Sequence, residues 1–216
     1  MNEEIRKKLG VEENKPNDWF ETLYSESNDS GSGVPWANMA PHPIFKKWID
    51  QSSPLENEKS ALVVGCGLGD DAIELENKGF KVTAFDVSES AIELCKKRFP
   101  SSKVEFKTAD LIEGISGWYK KFDLVLEIFT IQALPPKYEE VLIKNISDFV
   151  SGNGQLIVIT ELQSEKRAYE NGPPWLLNHD YINSFEKHGL KQIFKTTSNE
   201  TEIGEEIHLT IFRRDI

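Results

Sequence analysis

Hydrophobic residues in this chain follow two rhythms. Residues 61–64 are a short apolar run, the pattern of a strand buried on both faces, and residues 81–85, 103–108, 122–126 and 155–160 also predict strands. Between them, residues 70–77, 88–98 and 136–150 space their apolar positions three and four apart. Ala91, Ile92, Cys95 and Phe99 fall on one helical face, and Val141, Leu142, Ile146 and Phe149 fall on another, joined by Asn145. Ser88 stands where a helix N-cap is needed. Strand and helix alternating in this way predict parallel strands. The ending differs. After a helix over 181–188 stopped by Gly189, residues 190–197 and 206–213 are two strands joined by the polar stretch 198–204, which predicts an antiparallel hairpin. The expected fold is therefore α/β: a Rossmann-like, doubly wound, mostly parallel seven-stranded sheet with a C-terminal antiparallel hairpin. Ahead of it, residues 17–24 and 41–50 predict two short helices, separated by the polar loop 25–33 and followed by a linker over 51–59. The chain divides on this reading into an N-terminal helical lid or extension, 1–58, and a main domain, 59–216.

Candidate chemistry concentrates at the ends of the predicted strands. The first strand runs into Gly65, Gly67 and Gly69, which allow a sharp backbone turn and leave room for a ligand before the next helix. The second ends at Asp86, where a carboxylate can accept hydrogen bonds from both hydroxyls of a ribose. A third glycine of the dinucleotide pattern would fall at position 70, which is Asp. A carboxylate at a helix start repels a pyrophosphate, so S-adenosylmethionine suits the turn better than NAD. Beyond the third strand, Asp110 can accept from an adenine amino group, with Leu111 against the ring, and Asp110 equally suits a helix N-cap.

These stretches resemble the class I S-adenosylmethionine-dependent methyltransferases: VVGCGLG as the glycine motif, TAFDVS as the ribose motif, TADL as the adenine motif, and FDLVLEIFTIQALPP after the fourth strand. The likeness covers residues 60–216. The segment GVPWANMAPHPIFKKWI is similar to the lead-in of small-molecule members, in particular the thiopurine and thiol methyltransferase group, where a tryptophan-containing segment lies over the cofactor. The resemblance implies cofactor contacts from Gly65, Cys66, Gly67, Gly69, Asp86, Val87, Asp110, Leu111, Glu127 and Phe129, and a lid containing Trp19 and Trp36. On the substrate side it implies Gln132, and it places the loop 161–178 with its Pro173-Pro174-Trp175 wall toward the acceptor pocket. Glu127, His42 and His179 are the candidates for handling a proton. No metal is expected, because methyl transfer from a sulfonium is an in-line displacement that asks chiefly for alignment.

Composition narrows the partners. A formal charge of -11 and a pI near 4.9 argue against a nucleic-acid substrate. The basic clusters Arg6-Lys7-Lys8, Lys96-Lys97-Arg98 and Arg213-Arg214 are scattered and read as solvated surface. No apolar run approaches the roughly 18 residues of a membrane span, and the first ten residues lack the apolar core of a signal peptide. Cys66 and Cys95 show no metal-ligand spacing and read as reduced thiols. These features predict a cytoplasmic monomer or homodimer acting on a small molecule. Two alternatives stay open from the residues alone: an NAD-dependent oxidoreductase, and a non-catalytic binding module built on the same fold.

Overall fold

The computed structural model describes residues 11–12, 14–52, 59–162, 172–198 and 206–215. The Arg6-Lys7-Lys8 cluster, most of the linker, the first part of the 161–178 loop and the connection of the terminal hairpin lie outside the described residues. Seven strands are ordered β3-β2-β1-β4-β5-β7-β6, and the chain divides into two compact units, 2–110 and 111–216.

The first unit holds helices α1 (Asp18–Ser25) and α2 (Pro43–Gln51), then β1 (Ser60–Val64), α3 (Asp70–Asn77), β2 (Lys81–Asp86), α4 (Glu89–Arg98) and β3 (Glu105–Thr108). Strand β2 lies between β1 and β3 and is parallel to both, with Ala61 beside Val82 and Asp86 beside Thr108. Ala61, Leu62, Ala84 and Phe85 are buried almost completely, as an unbroken apolar run requires when helices cover both faces. Ala72 and Leu75 of α3 and Ala91, Ile92 and Cys95 of α4 supply the helical side of this core. Ser88 caps α4 as its sequence suggested, its hydroxyl accepting from the amide of Ala91 at 3.1 Å. The third strand is shorter than expected. The amide of Lys103 turns to the Glu76 carboxylate at 2.5 Å and that of Val104 to the Ser102 hydroxyl, so neither enters the ladder.

The second unit holds β4 (Phe122–Ile128), α5 (Glu139–Phe149), β5 (Val150–Glu161), α6 (Tyr181–Lys187), β6 (Leu190–Ser198) and β7 (Ile207–Arg214). Strand β5 is parallel to β4 on one side and antiparallel to β7 on the other, and β6 and β7 form the expected antiparallel hairpin. A single turn of 3-10 helix, Pro136–Tyr138, precedes α5, which starts three residues later than its pattern suggested. The predicted turn at 151–154 sits inside the span of β5. Val150 pairs with Phe122 and Gln155 with Leu124, so the intervening residues loop out of the ladder, with Asn153 at φ 63°.

Two arginines correct the expectation of solvated basic clusters. Arg98 grips the Asp70 carboxylate with both terminal nitrogens, at 2.7 and 2.8 Å, and also donates to the carbonyl of Leu68. Arg214 is buried and donates from Nε to the carbonyl of Val150 and from Nη2 to that of Ser147, satisfying carbonyls at the end of α5.

Candidate active site

At the carboxyl end of β1 the chain turns through Gly65, Gly67 and Gly69, all at positive φ (57°, 51° and 87°), which side chains larger than hydrogen resist. The turn is fastened from within. The amide of Cys66 donates to the carbonyl of Phe85 at 2.8 Å and that of Gly69 to the carbonyl of Cys66 at 2.9 Å. Gly67 donates to Oδ2 of Asp86 at 2.9 Å, while Oδ1 of Asp86 receives the amide of Ser88 at 3.0 Å. Asp86 is 6% exposed. Burial raises its proton affinity, and the amides of Ser88, Gly67 and Val87 counter the shift. Each pinned oxygen keeps a second lone pair, so the carboxylate is oriented to receive a vicinal diol, and the cradle fits a ribose. Cys66 and Val87 flank the cradle half-buried, and Cys66 and Cys95 are free thiols. The Cys95 thiol donates to the carbonyl of Gly67 at 3.1 Å.

Asp70, read from sequence as the group that repels a pyrophosphate, is held by Arg98, and that ion pair offsets much of its charge. The cofactor choice therefore rests on the glycine turn, Asp86 and the fold rather than on Asp70 alone.

The aromatic N-terminal residues reach the turn. Trp36 is 43% exposed and donates its indole N–H to the hydroxyl of Tyr24 at 3.0 Å. A methyl group added at Gly67 would lie 2.9 Å from that hydroxyl, so Tyr24 touches the turn itself. Trp19, expected in the lid, is 1% exposed and meets Trp36 edge-on with centroids 5.9 Å apart. Its ring is part of the buried core of the first unit. Two polar residues, Glu21 in α1 and Asn17 just before it, make contacts at the same end. Glu21 receives the hydroxyls of Ser88 and Ser90 at 2.6 and 2.5 Å, and Asn17 donates to Asp110 at 2.7 Å. Burial pushes the Glu21 carboxyl up, but the hydrogen bonds from Ser88 and Ser90 outweigh it and hold the group below its ordinary value.

Sequence reasoning passed over Tyr24, Glu21 and Arg98. For Tyr24 a signal existed: Trp19 and Leu23 stand four apart and Tyr24 borders the stripe they make. Glu21 and Arg98 find partners far along the chain, and nothing local announces them.

In the unit 111–216, Glu127 lies fully buried near the end of β4. Its Oε1 accepts from the amides of Thr130 and Ile131 at 2.7 and 3.1 Å, and its Oε2 has no hydrogen-bond partner among the described residues. Burial raises its pKa from 4.5 to about 7, against the pull of those amides. Strand pairing aligns Glu127 with Val158 and Val158 with Thr210, whose hydroxyl meets that of Tyr181 at 2.6 Å. Gln132 is buried, and its side-chain carbonyl accepts from the Thr160 hydroxyl and the Glu161 amide. Its backbone carbonyl receives the amide of Trp175 at 2.6 Å, which brings the two expected substrate-side residues together. Trp175 is 6% exposed and packs as a wall, with no face left to solvent. Phe129 adopts φ 57°, Leu111 is buried, and His179 is exposed with its ring 6.4 Å from that of His208. His42 lies in the other unit, next to α2. Its amide donates to Asp71 at 2.8 Å, and burial lowers its imidazole to about 4. Among the described residues no cluster of three or more His, Cys, Asp or Glu is placed to hold a metal ion.

Comparison with known proteins agrees with this geometry. Residues 61–154 match the family described as a methyltransferase domain. The probable thiol methyltransferase 2 of Arabidopsis thaliana is 26% identical over 199 residues, 87% of this chain and 84% of its own. Thiocyanate methyltransferase 1 of the same plant is 26% identical over 170 residues, 77% of this chain and 71% of its own. Among solved structures, the N-methyltransferase NodS from Bradyrhizobium japonicum WM9, in complex with S-adenosylhomocysteine, superposes with a TM-score of 0.71 at 16% identity, covering 93% of this chain and 98% of that one. The parallel sheet with its glycine turn and terminal hairpin is thus that of a class I S-adenosylmethionine-dependent methyltransferase. Within that class the chain is of the small-molecule type, and it moves a methyl group from S-adenosylmethionine to its acceptor.

Proposed function

We propose that the acceptor is a small thiol or a comparably soft anion, methylated on sulfur. The observation that carries this reading is the modest basicity of Glu127, the buried carboxyl with a pKa of about 7 and an Oε2 without a partner among the described residues. A thiol needs little help, since a few per cent is already thiolate at neutral pH, whereas a phenol or alcohol requires a stronger base. The plant relatives named for thiol and thiocyanate support the same choice.

In this reading Gly65, Cys66, Gly67, Gly69, Asp86 and Val87 hold the nucleoside, with Asp110 and Leu111 at the adenine and Glu127 and Phe129 at the amino-acid end. Trp36 covers the turn as part of an N-terminal lid, 1–58, on the main domain, 59–216. The bound cofactor supplies an electrophilic methyl, and the side chains orient the acceptor and exclude water. Gln132 and Trp175 shape the acceptor side. Glu127 takes the acceptor's proton where one must leave, with His179 as the exposed relay. His42, held neutral and weakly basic by burial, is the less suited of the two histidines. We further propose a cytoplasmic monomer or homodimer. Among the described residues no helix is long and apolar enough to cross a membrane.

The test is release of S-adenosylhomocysteine from S-adenosylmethionine in the presence of parallel panels of small thiols, thiocyanate, phenols and primary amines. Turnover of the sulfur panel is expected. Turnover of phenols or amines without thiols would reject sulfur as the acceptor atom, and cofactor binding without any turnover would favour the non-catalytic module.

A further inference from the structure

One face of the sheet in the second unit can be followed strand by strand. Glu127 pairs with Val158, Val158 with Thr210, and Thr160 with His208. Residues two apart on a strand share a face, so Glu127, Thr160, His208 and Thr210 all face one side. His208 stands near the start of β7, and β7 is antiparallel to β5, which puts it at the carboxyl end of the parallel strands, where ligands of such sheets bind. Gln132 and Trp175, which shape the acceptor side, are tied to the same place. The hydroxyl of Thr160, the register partner of His208, donates to Gln132, and the Trp175 amide donates to the Gln132 backbone carbonyl.

The protein satisfies several polar atoms on this face itself. The side-chain oxygen of Gln132 receives two donors, Oε1 of Glu127 receives two amides, and the hydroxyls of Tyr181 and Thr210 bond to each other. Two buried atoms are left without a partner among the described residues, Oε2 of Glu127 and Nδ1 of His208. The second is an acceptor. Nε2 of His208 lies 3.3 Å from a carboxylate oxygen of Glu206, and a carboxylate only accepts, so Nε2 carries the hydrogen and Nδ1 keeps its lone pair. Burial, helped by Lys195 and His179 and opposed by Glu206, holds the imidazole below its ordinary value, so the ring is neutral at neutral pH. His208 is 4% exposed, and a bare lone pair in such a place costs free energy until a donor reaches it. Glu127 serves the proton that leaves the sulfur. Nδ1 of His208 calls for a different donor, and thiocyanate or a simple alkyl thiolate has none.

We infer that His208 is a specificity-determining residue whose Nδ1 accepts a hydrogen bond from the methyl acceptor, which is therefore a thiol carrying a hydroxyl or ammonium group apart from its sulfur. The inference rests on the reading of the acceptor as a small thiol and narrows it. The second group orients the molecule and keeps its own proton throughout the transfer, so its contribution belongs to binding rather than to the chemical step.

The experiment measures kcat and KM for an alkanethiol, for the hydroxyalkanethiol in which hydroxyl replaces the terminal methyl, and for the aminoalkanethiol in which ammonium replaces it, each over a series of chain lengths. The unaltered chain should favour one of the two functionalised thiols over the alkanethiol of matched length by at least about tenfold in kcat/KM, the scale of a buried acceptor left unpaired, and mainly through KM. Which of the two is favoured identifies the donor. His208→Phe keeps a ring and removes the lone pair, and it should abolish the preference. His208→Asn, which keeps an acceptor oxygen close to the place of Nδ1, should retain most of it. Glu206 is exposed, and Glu206→Lys turns the partner of Nε2 into a donor, moves the hydrogen to Nδ1 and should likewise remove the preference. Turnover of all three thiols without preference in the unaltered chain, or a preference untouched by both His208→Phe and Glu206→Lys, overturns the role of His208 and leaves sulfur methylation standing. Absence of turnover with every thiol overturns the sulfur reading itself, and the inference falls with it.

Discussion

Glu127 concentrates the energetic tension of the second unit in one side chain. Its carboxyl is buried with one oxygen held by two amides and the other without a partner among the described residues, and its pKa rises from 4.5 to about 7. Between those values the folded chain binds a proton that the unfolded chain has released, so ionisation weakens the fold as pH rises through that window. The cost reaches up to about 3 kcal/mol for a shift of this size. Glu127→Gln keeps the shape and removes the charge. Urea midpoints taken from pH 4 to pH 8 should therefore show the unaltered protein losing stability relative to Glu127→Gln as pH rises, with the gap closed below the ordinary carboxylate range. Other groups that titrate there, such as Asp71, raised to about 6, are common to both proteins and cancel. Parallel curves would show that the buried carboxyl is solvated by something outside the described residues. At this scale the sequence was legible where a residue's place follows from its neighbours: the glycines make the turn after β1 and Asp86 ends β2, where it receives the Gly67 amide. Arg98 was illegible because Asp70 lies 28 positions away, and a run of three basic residues looks alike whether the third faces water or a carboxylate.

The N-terminal helix shows how an element is held by its ends. Trp19, Leu23 and Tyr24 bury one face of α1, and Glu21 reaches across to the first turn of α4, where the Ser90 amide and the Ser88 and Ser90 hydroxyls point at it. A carboxylate at that position caps orphan amides and complements the positive end of the helix. Glu21→Ala should lower stability by about 1 kcal/mol, the scale of a cap at an exposed site. It should also speed release of S-adenosylhomocysteine in stopped-flow experiments, since α1 carries Tyr24. An unchanged release rate would mean that Trp19 alone holds the helix in place. Element by element, the alternation of buried runs and amphipathic stretches predicted the mostly parallel sheet and its terminal hairpin, because burial on two faces and on one leave different periods. Element ends were less readable. Lys103 and Val104 look like strand residues but give their amides to Glu76 and Ser102, choices set by tertiary neighbours rather than by propensity.

As a whole the chain is an acidic α/β enzyme with a formal charge of -11. Two of its basic residues, Arg98 and Arg214, are withdrawn from the surface into structural roles, which leaves its exterior more uniformly anionic than the sequence clusters suggest. In a gel-shift titration at about 0.1 M salt it should leave both duplex DNA and single-stranded RNA unretarded, because binding of nucleic acid is driven by cationic neutralisation of phosphates. Retardation would reveal a basic face drawn from residues beyond those described. The loop-out within β5 has a practical side. Val150 and Gln155 keep their pairings with Phe122 and Leu124 whatever the path between them, and Gly152 and Asn153 stand exposed at its crest. The seam between those two residues can take up added length without shifting the ladder, which makes it the natural place to graft a reporter peptide or a dye-bearing cysteine onto this enzyme.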